Sequence, residues 1–211
     1  MRNRGKWIAL WVVVFALATA AVWAQEQRGP MKPIGPLMIE HRQIERMVAL
    51  MVLEGNRIRE GKPADPAFAA TVVDFFRVYG DKTHHGKEEE IFFKQLAKKN
   101  LSAEHKKVMA NLIAEHEQAR VLVGRLAAAK DRLDKDNAAA AKEIQAVLQE
   151  LSTLYPRHIV QEDRVFFMPA LDYLSAEEQD EMVRQMIWYD RNMIHAKYKD
   201  IINETRERMQ K

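Results

Sequence analysis

The feature that most constrains the fold of this chain is an internal repeat. His84-His85-Gly86-Lys87-Glu88-Glu89-Glu90-Ile91-Phe92-Phe93 and His158-Ile159-Val160-Gln161-Glu162-Asp163-Arg164-Val165-Phe166-Phe167 share the pattern His-x-x-x-Glu-acid-x-β-branched-Phe-Phe, 74 residues apart. Upstream of each stands a second matching pair, Glu40-His41-Arg42-Gln43 and Glu115-His116-Glu117-Gln118, 75 residues apart. The repeat predicts two similar helical hairpins, each giving one His from its first helix and a His-x-x-x-Glu from its second. Four residues along an α-helix advance about 6 Å and turn about 40° past a full revolution, so His84 and Glu88 share a face, as do His158 and Glu162. Two such hairpins docked antiparallel aim imidazoles and carboxylates from four helices at one axis. That donor set suits iron, manganese or zinc, and two Glu side chains can bridge a pair of metals. Buried without a metal, the same carboxylates would carry a large desolvation penalty. Taken singly, a His on an amphipathic helix is usually an ordinary core or surface residue, and one His-x-x-x-Glu pair an ordinary i,i+4 contact. Recurrence with the same flanking Phe-Phe separates this chain from that reading. The Phe pairs and the Met residues themselves need only be core.

Everything else along the chain is helical in character. Its 211 residues, 47% hydrophobic, suffice for one good core and are short for two domains. Gly and Pro number only eight and seven, and no run alternates with the period of two that a sheet requires. A first helix is predicted over about 36–59, ended by Gly61-Lys62-Pro63. Asp65-Pro66 reads as an N-cap with Pro at the first helical position, opening a second helix to about Lys98 with a weak point near Tyr79–Asp81. Ser102 caps a third helix to about Leu133, and a polar turn at 134–137 leads to a fourth, from about Ala138 to Tyr173, with Pro156 inside it. Ser175-Ala176-Glu177-Glu178 is a capping box for a fifth helix reaching the C-terminus, with an apolar stripe of Met182, Met186, Ile187, Ile194 and Tyr198. The expected fold is all-α: an up-down-up-down four-helix bundle over 36–173 with an additional C-terminal helix over 174–211. There is no cysteine, which excludes disulfides, zinc ribbons, iron–sulfur clusters and thiol nucleophiles, and leaves nitrogen ligation to the seven histidines.

Residues 1–24 have the make-up of a targeting segment. Arg2, Arg4 and Lys6 precede an uncharged apolar stretch, Trp7 to Ala24, and Val22-Trp23-Ala24 before Gln25 suits signal-peptidase cleavage. That stretch of 18 residues is also the low end of what spans a bilayer, so an uncleaved anchor through 7–24 is the competing reading. Either places the domain outside the cytoplasm, in the periplasm or facing it. Residues 25–35, with two Pro and two Gly, form an extended lead-in. The 33 basic and 30 acidic residues become 30 of each once residues 1–24 are set aside, so no basic face calls for nucleic acid.

At Leu37-Met38-Ile39-Glu40-His41-Arg42-Gln43-Ile44-Glu45, His84–Phe93, Ala114-Glu115-His116-Glu117-Gln118-Ala119-Arg120 and His158–Phe167 the sequence resembles the hemerythrin-like (HHE cation-binding) family, over about 34–172. The resemblance implies a bundle holding two non-haem irons bridged by carboxylates, with an open position for dioxygen or another small ligand such as nitric oxide. Members carry or sense oxygen, handle iron or respond to nitric oxide. The implied ligands are His41, His84, His85, Glu88, His116, His158 and Glu162. Two departures from oxygen-carrying members stand out. Arg120 occupies the place of the second His in their third-helix His-x-x-x-His, and Glu162 and Asp163 both lie near the position of their last-helix Asp. His85 is the expected source of the fifth imidazole, with Gly86 lending backbone freedom; the alternative is a solvent-facing or Glu89-paired side chain. His105 and His195 match nothing in the repeat; His105 is expected to be solvated.

Three function classes compete. The leading one is a metal- and ligand-binding protein rather than an enzyme: a di-iron site that binds or senses dioxygen or nitric oxide. The second is an oxidoreductase, peroxidase- or ferroxidase-like, or an iron-handling protein using the same site. Against it, ferritin-like oxidases draw more Glu and less His from their helices. The third, a structural helical bundle, leaves the repeated pairs without a purpose.

Overall fold

The computed structural model describes residues 32–133 and 137–209. The targeting segment 1–24, most of the lead-in and the polar turn therefore lie outside the described residues. Those described form helices and no strand. Helix α1 is Ile34–Arg59. Helix α2 starts as Pro66–Asp74, runs through π-helical stretches Phe75–His85 and Glu88–Phe93, and ends with Lys94–Leu96. Helix α3 is Ala103–Arg132. Helix α4 is Asn137–Gln161, continued by π-helical Glu162–Phe166, then Phe167–Ala170 and a 3-10 turn Leu171–Tyr173. Helix α5 is Ala176–Met209.

The helix ends follow the capping chemistry in the sequence. Asp65 Oδ1 accepts from the backbone N–H of Ala67 at 2.8 Å and of Phe68 at 3.2 Å, with Pro66 at the first position. Ser102 Oγ accepts from His105 N–H at 3.1 Å. At α5 the capping box closes both ways: Glu178 N–H donates to Ser175 Oγ at 3.2 Å, and Ser175 N–H to Glu178 Oε2 at 2.9 Å. After α1 the chain turns at Gly61, whose φ of +83° suits a residue without Cβ.

Helix α4 packs on both α1 and α3, α2 packs on α3, and α5 lies along the π-helical part of α2. The hydrophobic interior falls into two clusters. One holds Ile44, Met51, Phe76, Leu122, Leu148, Tyr155 and their neighbours; the other holds Leu37, Phe92, Leu112, Phe166, Phe167, Met182 and Met186 among others. On every bundle helix the boundary between them falls at the repeat: His41 between Leu37 and Ile44, His84 to Glu88 between Phe76 and Phe92, His116 between Leu112 and Leu122, Glu162 between Ile159 and Phe166. A polar layer thus crosses the bundle between two apolar ones. Of the expected α5 stripe, Met182 and Met186 are buried while Ile187 is exposed. Ile194 and Tyr198 have no described side chains. Among the described residues no helix is long and apolar enough to cross a membrane.

Candidate metal centre

The structure brings all seven of the sequence-predicted site residues into the polar layer. His41, His84, His85, Glu88, His116, His158 and Glu162 are all buried. Their donor atoms form overlapping groups that could each hold a cation: His41, His84, Glu88 and Glu162; Glu88, His116, His158 and Glu162; and His85 with His116 and His158. Glu88 and Glu162 belong to both sides. Glu162 Oε2 lies 3.1 Å from His41 Nε2 and 3.2 Å from His158 Nε2. Glu88 has Oε1 3.4 Å from His84 Nε2 and Oε2 3.4 Å from His116 Nε2.

Each imidazole is turned inward by a carboxylate behind it. Nδ1 of His41 meets Asp163 at 2.7 Å, that of His84 meets Glu40 at 3.0 Å, and that of His85 meets Asp81 at 3.3 Å. Nδ1 of His116 meets Glu89 at 2.7 Å, and that of His158 meets Glu115 at 2.9 Å. An ionised carboxylate can only accept, so facing one each Nδ1 carries the hydrogen and each Nε2 presents a lone pair to the centre; burial pushes Glu40 up to about 7, so at His84 this holds above that pH. This is how metal-binding histidines are usually oriented, and it raises their basicity. Four of these links obey the repeat. The Glu preceding each first-helix His (Glu40, Glu115) holds the His of the same hairpin's second helix, and the acid following each Glu (Glu89, Asp163) holds the first-helix His of the other hairpin. Glu89 and Asp163 are thus partners of histidines, facing away from the central donor atoms.

His85 stands outside that symmetry. Its counterpart in the second repeat is Ile159, a buried apolar residue. The π-helical turns of α2, with i→i+5 bonding, send His84 toward His41 and His85 toward His116, whose ring it stacks on at 3.8 Å. Gly86 is ordinary right-handed helix, φ −58°, so backbone freedom is not its role. A Cβ there would come within 2.3 Å of Tyr189 Oη on α5, so Gly86 makes room for that side chain. The solvent-facing and Glu89-paired alternatives for His85 are both ruled out by its burial and its Asp81 partner. Arg120, at the place of a missing imidazole, instead grips the carboxylates behind two of them: Nε to Asp81 and Nη2 to Glu89, each at 2.8 Å. It also bonds Glu117 at 2.6 Å.

Electrically the centre is unsatisfied. Burial, reinforced by neighbouring carboxylates, holds the carboxyl groups of Glu88 and Glu162 well above the ordinary range. Burial and the crowding of imidazoles push His84 and His85 well below the usual histidine value, and burial takes His158 down to about 4. Nε2 of His41, His84 and His85 and all four oxygens of Glu88 and Glu162 have no hydrogen-bond partner among the described residues. His116 Nε2 and His158 Nε2 face each other at 3.2 Å with a lone pair each. Such an arrangement is costly unless an electrophile lies between the donors. Cations held in these groups would satisfy these atoms, so the residues fit a metal.

The model of the hemerythrin HHE cation binding domain family matches residues 32–170. The chain belongs to that family. Neither a curated protein nor a solved structure matches it. Family membership and the His/Glu cluster together make this layer a metal-binding site. The family match covers the four bundle helices up to Ala170, short of the last turn of α4, and stops before α5.

Of the two remaining histidines, His195 is exposed. His105, expected to be solvated, is half-buried: its Nδ1 meets Tyr173 Oη at 2.9 Å and its ring sits edge-on to Phe166. Its partner lies 68 residues away, where helical periodicity of α3 alone has no reach.

Proposed function

We propose that the protein is an exported non-haem di-iron protein that binds or senses dioxygen or nitric oxide, with His41, His84, His85, Glu88, His116, His158 and Glu162 as its ligands. One observation carries the reading. Four inward-facing imidazoles stand two and two about a shared pair of buried carboxylates, with His85 beside His116 and His158, and these donors suit iron. His41 and His84, with the two Glu, would give a metal one imidazole fewer than the other side and so leave more room there for an added ligand. Phe167 lies parallel to the His41 ring at 5.8 Å, giving that end an apolar wall suited to a small neutral molecule. When bound, iron supplies the redox chemistry by which such a ligand is held; the chain supplies five oriented imidazoles and two shared carboxylates, all buried.

The test is an iron assay with optical spectra of the purified protein, anaerobic and then exposed to air. About two irons per chain are expected, with a spectrum that changes in air and reverts on removal of oxygen. Rapid consumption of peroxide or of added ferrous iron would instead point to a peroxidase- or ferroxidase-like oxidoreductase. His85→Ala gives the sharpest check on the five-imidazole assignment. It is expected to lose one iron or alter the spectrum at unchanged helix content, whereas His105→Ala and His195→Ala do neither. A His85→Ala protein equal to wild type in iron and spectrum would reduce the set to four imidazoles.

Export rests on the sequence of residues 1–24, with its basic start and apolar run before Val22-Trp23-Ala24. Protein recovered from the periplasm should begin at or near Gln25. Retention of the intact chain by membranes through a high-pH wash would identify an anchor, and recovery of intact chain from the cytoplasm would refute export.

A further inference from the structure

Helix α5 lies outside the family match, yet one of its side chains is connected to the metal layer. Lys87, between His85 and Glu88 on α2, is fully buried, and its Nζ donates to Glu40 and, at 2.6 Å, to Asp190 of α5. Glu40 in turn accepts from His84 Nδ1 at 3.0 Å. Asp190 is partly exposed, so the chain Asp190–Lys87–Glu40–His84 runs from the rim of α5 to one imidazole of the two-histidine group. In the second hairpin, among the described residues, the corresponding link is shorter and lies at the surface. Gln161 occupies the place of Lys87, and Glu115, the counterpart of Glu40, pairs with a largely exposed Arg157. Beside Asp190, Tyr189 O–H donates to the Lys82 carbonyl at 2.9 Å and fills the space left by Gly86. Helix α5 is thereby seated on the stretch of α2 that carries His84, His85 and Glu88.

We propose that α5 is a working part of the metal centre, and that Lys87 and Asp190 are positioning residues that set how strongly His84 binds its metal. The proposal rests on the di-iron reading above. An imidazole whose Nδ1–H is shared with a carboxylate is a stronger donor at Nε2. An ammonium on that carboxylate draws charge away and weakens the donor; a second carboxylate on the ammonium partly restores it. Lys87 and Glu40 are buried and little screened by solvent, so a change at Asp190, whose carboxylate touches the Lys87 ammonium, reaches His84.

The experiment compares Asp190→Asn, Asp190→Glu and Lys197→Ala in the full chain. Lys197 bonds Asp74 at 3.1 Å, so its loss loosens α5 without touching Lys87. Two quantities are read: the NMR signal of the His84 Nδ1–H in metal-free protein, and iron affinity by chelator competition. Asp190→Asn should move the His84 signal and weaken one of the two irons several-fold. That effect is smaller than the roughly 10–100-fold seen for residues that touch a ligand directly. Asp190→Glu should restore both, and Lys197→Ala should change neither. An Asp190→Asn protein equal to wild type in both readouts, or a Lys197→Ala protein altered in the same way, would reduce α5 to a cover and overturn the proposal. Failure of the wild type to take up iron would sink the di-iron reading alone, because the metal-free NMR comparison still decides whether Asp190 governs His84.

Discussion

Replacing Glu88 and Glu162 together by Gln is expected to abolish iron loading and to make the metal-free protein more stable. The two effects have one cause. Both carboxyl groups are buried without a hydrogen-bond partner among the described residues, and burial holds both well above the ordinary value of 4.5. A carboxyl whose folded pKa is raised contributes stability that is full below 4.5 and is lost as the pH climbs through the folded value. The contribution of Glu88 and Glu162 to metal-free wild type is therefore lost toward neutral pH, against the gain from the buried histidines, and the double Gln variant is free of that loss. An unpaired buried amide costs about 1–3 kcal/mol and an ionised carboxylate more, so a gain of about 2 kcal/mol is expected at pH 7. For a chain of this size that is on the order of 6 °C in Tm. Calorimetry of chelator-treated proteins across pH, beside an iron assay, checks both halves. Full iron loading of the double variant would remove Glu88 and Glu162 from the ligand set.

Stripping the metal from wild type at neutral pH is expected to lower its Tm by about 10 °C. A ligand at a thousand times its dissociation constant stabilises by about 4 kcal/mol, and the conversion for this size gives about 8–16 °C. The gap should close in acid. Buried neutral histidines contribute stability that is present above the ordinary value of 6.5 and is lost as pH falls toward the folded value, about 4 for His158. Over that same window protons compete with the metal for Nε2. Loaded and stripped samples should therefore converge between about pH 6.5 and 4, followed as paired melting curves. Identical melting at pH 7 with and without metal would contradict a centre whose donors are unsatisfied alone.

The helices, their caps and the clustering of the seven histidine and glutamate residues were legible in the sequence, because each rests on spacing within one helix or on duplication. Harder to read was what stands behind the histidines. Glu40, Glu89, Glu115 and Asp163 lie inside the repeated segments, and their recurrence beside the ligand positions was the available signal. Periodicity shows which face a residue shares; it does not show which atom it meets on a helix more than 100 positions away, as Asp163 meets His41. Arg120 looked like an absent ligand for the same reason, and its grip on Asp81 and Glu89 appears only when α2 and α3 are side by side. The π-helical turns carry no compositional mark, and the backbone freedom expected of Gly86, to let His84 and His85 converge, is not needed: adjacent helical positions send the two rings to different sides. The role of Gly86, and the link from Lys87 to Asp190, depend on where α5 lands, and an amphipathic stripe does not specify a partner.

The ring of carboxylate–imidazole links has a consequence for assembly. Glu40 to His84 and Glu115 to His158 tie helices within a hairpin, while Asp163 to His41 and Glu89 to His116 tie the hairpins to each other. Two near-duplicate hairpins covered in Leu, Ala and Met could slide or rotate against one another at small cost, since apolar surfaces of similar volume repack readily. Advancing one helix by a single residue turns its face by about 100°, breaks two links and strands a buried acid in an apolar layer. The polar layer therefore acts as a key: it admits one register of the four helices, and the donor atoms are in place for a metal only once the bundle has closed in that register.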